Sequence, residues 1–175
     1  PGCYQYVATD LTVLMFGSSA VSFPLTIPNG TAWLGATLQV QSVVDTGEDV
    51  LFHGTEDPTE MHVWRLATRS GETTRLSGAP GIHAAAAGGA ITVITAETVD
   101  TPLPVSTVFE DGEPVATLAA YADEPVLTAR PTFFTAGERD LRCAVLTPGG
   151  REPDGPLPVL VDPYGGPHVA RVVKA

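Results

Sequence analysis

Positive charge is scarce in this sequence: nine Lys and Arg stand against twenty Asp and Glu, for a net charge of −11. Binding nucleic acid requires clustered basic side chains that neutralise phosphates, so nucleic acid is not an expected partner. Cysteine is scarcer still. Cys3 and Cys143 are the only two, too few for a disulfide framework, and neither lies in a C-x-x-C pair. Buried free thiols are expected, with a single Cys3–Cys143 bridge left open. No apolar run reaches the roughly 18 residues of a transmembrane helix. No basic segment followed by an apolar core opens the chain either, and its first residue is Pro1. These absences are read as a cytoplasmic location with no membrane partner, and the start at Pro1 as a removed beginning or a piece of something longer.

Several chemical signatures are also missing. There is no phosphate loop and no G-x-G-x-x-G, so no cofactor is expected. His53, His62 and His83 fit no zinc spacing and read as ordinary strand histidines, solvent-facing or hydrogen-bonded. Glu56, Asp57 and Glu60 lack the pattern of a calcium loop and read as a solvated turn.

Glycine and proline are plentiful, at 18 and 16, which favours short strands and turns over long helices. No helix longer than about two turns is evident. Asp10 is the only charged residue before Asp45, and this compositional step places a boundary at Val44/Asp45. Before it, residues 6–16 are β-prone. Residues 21–27 are also β-prone but interrupted by Pro24, which suggests an edge strand. Pro28-Asn29-Gly30-Thr31 signals a turn, also with the form of a glycosylation acceptor, and residues 33–44 alternate as a strand. After the step come short strands at 50–53, 61–67, 73–76, 82–87, 90–96, 105–110 and 114–118. The Asp111-Gly112 pair between the last two is a hairpin signal. Such spacing suits a sandwich, a barrel or propeller blades equally.

Residues 157–161, LPVLV, form a short apolar run of the kind that makes a strand buried on both faces. Asp162-Pro163-Tyr164-Gly165-Gly166-Pro167 stops it abruptly. Open α/β sheets bind ligands beyond the carboxyl ends of their strands, and Tyr164 is the one side chain in this loop suited to chemistry. Taken alone, these residues are better described as a plain turn in which Tyr164 packs and hydrogen-bonds locally.

The stretch LVDPYGGPH resembles the start of the catalytic domain in the prolyl oligopeptidase family of serine peptidases, in its dipeptidyl-peptidase IV-like branch. Asp162, Tyr164, Gly166 and Pro167 match that family's Asp-x-Tyr-x-Gly-Pro loop. Upstream, VLFHGTEDPTEMHVWRL, RLSG, IHAAAAGGAITVITAE and VFEDGEPVATLA resemble the last one to two blades of its propeller. Residues 131–148, with 141–146 as the clearest strand, resemble the linker strand that opens its hydrolase domain. The likeness spans about residues 45–175. It implies a mainly β chain in which antiparallel propeller-blade strands lead into the first strands of an α/β-hydrolase domain. The expected divisions are a low-charge N-terminal β segment at 1–44, a partial β-propeller at 45–130, and a linker with the start of the hydrolase domain at 131–175. It also implies that the Tyr164 hydroxyl serves an oxyanion hole and that the intact enzyme acts on short peptides. IPNGTAWLGATLQVQSVV separately resembles the terminal strands of secreted bacterial β-sandwich modules, which implies no activity.

Such a hydrolase needs a serine on a G-x-S-x-G elbow, followed in sequence by an acid and a histidine. None of these is present. Gly17-Ser18-Ser19-Ala20 is the nearest approach and lacks the second glycine, while His168 has no serine partner placed for it. No residue matches the glutamate pair with which the family holds a substrate amino terminus. The expectation is therefore a serine-peptidase piece that is inactive alone and self-associates through open sheet edges. A non-catalytic all-β binding or interaction module is the alternative.

Overall fold

The computed structural model describes the backbone of residues 4–8, 11–15, 24–27, 30–33, 38–127, 129–163 and 170–175, and the side chains of 38–127, 129–163 and 170–175. The protein is mainly β. Among the described residues, every ladder between the strands is antiparallel and the only helical element is one 3-10 turn, Pro148–Gly150.

The first sheet contains β1 (Tyr4–Ala8), β2 (Leu11–Met15), β3 (Pro24–Ile27) and β4 (Gly30–Trp33), in that order. The β-prone run at 6–16 is thus two strands joined as a hairpin, with Ala8 opposite Leu11. Pro24 does not mark an edge, because β3 lies between β2 and β4. Pro24 is the first residue of its strand, and Thr12↔Thr26 is the one Cα pair joining β2 to β3. The first position of a strand is one where a missing proline N–H is tolerated, and Pro24 pairs there with Trp33 of β4.

The second sheet is a meander of β5 (Gln39–Thr46), β6 (Val50–Thr55), β7 (His62–Leu66) and β8 (Thr73–Arg75). The step in charge at residue 45 falls inside β5, at a register shift between Val43 and Asp45. Charge begins there because β5 runs out into an exposed turn, with residues 45–48 open to solvent. Strand β6 shows no apolar/polar alternation, since Val50, Leu51 and Phe52 are all buried. That is the pattern of a strand covered on both faces. One face carries the cross-strand pairs Val50–Leu66 and Phe52–Trp64, and the other carries Leu51 and Val63.

The third sheet is a second meander, β9 (Ile82–Gly88), β10 (Ile91–Glu97), β11 (Val105–Glu110) and β12 (Glu113–Leu118). Its tight turn at Asp111-Gly112 has φ of 50° and 86°, the left-handed backbone that an Asp-Gly hairpin supplies cheaply. The two meanders pack face to face: Leu51, Val63 and Ile94 form a buried cluster edged by Val44, Ala85, Ala87 and Phe109. Small alanines on β9 admit Leu51 and Val63 from the facing sheet. A parallel bridge, Met61↔Ile82, fixes the contact, with Met61 N–H donating to Gly81 O at 3.0 Å and His83 N–H to Met61 O at 2.9 Å. Gly81 is required here, because a Cβ would collide with the carbonyl oxygen of Glu97. Burial fades outward until every residue of β12 is exposed.

The expected single linker strand is instead a hairpin, β13 (Thr132–Ala136) with β14 (Leu141–Val145). The run at 157–161 departs further from expectation. It forms no strand and lies in solvent, with Val159 82% and Leu160 96% exposed. A strand buried on both faces needs a neighbour on each side and a layer over each face, and no described element provides them.

Candidate functional site

The densest polar cluster forms where the turn between β6 and β7 meets the start of β9. Thr55 and Asp57 shape the turn. The Thr55 hydroxyl donates to the Asp57 carbonyl, and Asp57 Oδ1 accepts from Thr59 N–H at 3.0 Å and from Thr59 Oγ1 at 2.9 Å. Glu60 N–H donates to Asp57 O at 2.8 Å. This asparagine-like self-capping is the usual reason an Asp occupies such a turn.

Beyond the turn, His62 is 3% exposed and His83 4% exposed. Their rings stack with centroids 5.0 Å apart. His62 Nε2–H donates to Glu60 Oε2 at 2.8 Å, and its Nδ1 accepts from the Ser77 hydroxyl at 2.8 Å. Ser77 Oγ in turn accepts from Val63 N–H at 3.1 Å. His83 Nε2–H donates to Ala79 O at 2.8 Å, leaving His83 Nδ1 buried without a partner. Burial, reinforced by the Arg75 charge, holds the His83 pKa below its ordinary value against the opposing pull of the Ala79 carbonyl and Glu60. His62 thus uses both of its ring nitrogens and His83 only Nε2.

His53 is set apart from this pair. Its Nε2 accepts from Ala85 N–H at 3.0 Å, so the neutral ring carries its proton on Nδ1 and donates to Ser42 Oγ at 2.9 Å. Burial lowers its pKa. Of the alternatives expected for the three histidines, hydrogen bonding is what is found; His53 joins two sheets and His62 and His83 form a buried pair.

The acidic turn is more than a solvated loop. Only Glu56 of its three singled-out acids is exposed. Lys174, more than a hundred residues away in sequence, places its ammonium on Asp57 Oδ2 at 3.3 Å and on Glu60 Oε1, and its N–H donates to Thr59 O at 2.9 Å. Arg142 from β14 approaches Asp57 Oδ1 at 3.7 Å. Burial pulls the pKa of Asp57 and of Glu60 upward. Hydrogen bonds and positive charge outweigh it, from Thr59 and Lys174 for Asp57 and from Lys174 and His62 for Glu60, and both end below the usual carboxylate values. Hydrogen bonding to Glu60 raises the Lys174 pKa despite partial desolvation.

Ser77, His62 and Glu60 form a serine–histidine–acid chain, but not a nucleophilic one. Ser77 is 5% exposed, so no substrate carbonyl can reach its oxygen, and the serine meets Nδ1 while the acid meets Nε2, the reverse of the hydrolase arrangement. Among the described residues, no group of three or more His, Cys, Asp or Glu is placed to hold a metal ion. No family model matches this sequence.

Tyr164, the residue singled out by the family resemblance, lies outside the described residues, as do His168, Cys3, Ser18, Ser19 and Asn29. The described residues on either side of the Tyr164 loop do meet: Arg171 Nη2 lies 2.5 Å from Asp162 Oδ2. Cys143 is a half-buried free thiol. The Glu60–His62–Ser77 network escaped sequence reading because its partners are drawn together by the sheet contact. Its one local sign was Glu60 two residues before His62, on the same side of an extended chain. No helix among the described residues is long and apolar enough to cross a membrane.

Proposed function

We propose that this chain carries the propeller–hydrolase junction of a serine peptidase of the dipeptidyl-peptidase IV-like branch, with Tyr164 as an oxyanion-hole donor and the Ser, Asp and His of the triad supplied from elsewhere in the intact enzyme. The observation that carries this reading is the order of elements. Two successive four-stranded meanders pack face to face, a hairpin follows, and then comes an uncovered apolar run at 157–161 that leads into DPYGGP. Propeller blades bury their faces against neighbouring blades in this way. An apolar run that ends in a Gly/Pro loop suits a central hydrolase strand whose neighbours lie outside this chain. The substrate class is short peptides that reach the triad past the propeller.

A second reading, a non-catalytic all-β binding module, is favoured by the sealing of Ser77 and His62 away from solvent. One experiment separates the two. The complete gene product containing this sequence is treated with a fluorophosphonate probe beside the 175-residue chain. One labelled serine C-terminal to Tyr164 in the complete product, with none in the 175-residue chain, is expected. No labelled serine in the complete product rejects the peptidase reading, and a labelled serine in the 175-residue chain rejects the placement of the triad elsewhere.

A further inference from the structure

We propose that residues 170–175 are an ionic strap that docks on the β6–β7 turn and lets go in acid. The turn's own hydrogen bonds leave one oxygen of each carboxylate for the strap. Asp57 commits Oδ1 to Thr59 and leaves Oδ2 for Lys174. Glu60 commits Oε2 to His62 and leaves Oε1 for Lys174. The Thr59 carbonyl takes the Lys174 backbone N–H, so the strap is held by its backbone as well as by its charge. Residues 172–174 are half-buried, in contrast with the solvated run at 157–161. The strap therefore makes the chain that follows residue 169 move with the β5–β8 sheet, and this holds whichever function the protein has.

Among the described residues, the charged and titratable groups around the strap are Asp57 and Glu60 on the turn, His62 on β7, His83 stacked on it from β9, Arg142 on β14, Arg75 at the end of β8, and Asp162, which pairs with the strap's own Arg171. Among the described residues, only the two carboxylates touch the ammonium. Protonating them removes the negative charge that holds it and leaves it near the Arg142 guanidinium. Both carboxylates titrate below their ordinary range, so the strap holds through neutral and mildly acidic pH and releases as pH falls through that lowered range.

Hydrogen exchange on the full 175-residue chain tests this, read at the Lys174 amide and at the core amides of Val63 and Leu66. In Lys174→Met at pH 7, protection of residue 174 is expected to fall about tenfold or more while the core amides keep theirs, the signature of local opening. Glu60→Gln should do the same. Should Glu60→Gln disturb the core by disturbing His62, Lys174→Met decides alone, because it leaves the Glu60–His62 bond intact. In the parent chain, titration below the carboxylate range should cost residue 174 a larger factor of its protection than it costs the core amides. Unchanged protection in Lys174→Met, or loss at 174 only together with the core, overturns the proposal.

Discussion

His62 and His83 stack at 5.0 Å between ring centroids with their planes inclined by 22°, although one belongs to β7 and the other to β9 of the facing sheet. The stack favours a neutral His83 ring. A proton on His83 Nδ1 would create a buried N–H with no acceptor beside a second ring that already donates to Glu60.

Stability should therefore fall on mild acidification. The His83 pKa is lowered in the folded chain, so between that value and the unfolded value of about 6.5 the unfolded chain binds more protons. The stabilisation is complete above about pH 6.5 and is lost as pH drops through the folded value; the lowered His53 adds in the same direction. Urea midpoints should be lower at about pH 5.5 than at about pH 7.5, and His83→Phe should flatten that difference. A midpoint that is flat across this range would refute the account.

Ser77→Ala should cost about 1–3 kcal/mol, the range for stranding buried polar partners. It removes the acceptor of Val63 N–H and the donor to His62 Nδ1 together. Equilibrium denaturation measures the loss, and a change within about 0.5 kcal/mol would show that water restores both bonds.

Leu66→Ala and Leu160→Ala should differ sharply. Leu66 is fully buried and Leu160 almost fully exposed. The first should cost about 2–5 kcal/mol and the second stay within about 0.5 kcal/mol. Equal losses would mean that residues 157–161 are packed in solution.

The chain should self-associate. Val159, Leu160 and Val161 form a contiguous exposed apolar stretch, and the fully exposed edge strand β12 offers unpaired backbone groups. Light scattering after size exclusion should show species larger than a monomer, and Leu160→Lys with Val159→Lys should reduce them. A monodisperse monomer at high concentration would contradict this.

In the complete gene product, Tyr164→Phe should lower kcat about 10²–10³-fold with little change in KM, as expected when a donor to the developing oxyanion is lost. Steady-state kinetics, with folding checked by circular dichroism, would test this. A kcat within about threefold of the parent would leave Tyr164 as a turn residue, far short of a lost oxyanion donor.

The strands were largely legible because their signals are local. Asp111-Gly112 fixes its own backbone twist, and the expected strand at 105–110 is β11 (Val105–Glu110) to the residue. The loop motif around Tyr164 is equally local, which is why a candidate residue could be singled out there without any geometry.

Burial was not local. LPVLV and VLF read alike as apolar runs, yet Val50, Leu51 and Phe52 are buried while Val159 and Leu160 lie in solvent. Composition states what a segment could bury, and only the packing of other strands over it decides whether it does. The histidines follow the same rule. The sequence alone determined a β-rich, acidic, turn-dense chain with three histidines on or beside strands. That two of them meet, sealed from solvent and tied through Glu60 to Lys174, was decided by the face-to-face contact of the meanders and the return of the chain to Asp57 and Glu60. Contacts across a hundred residues leave no periodicity to read, because the chain between them is free to take either side until the sheets close.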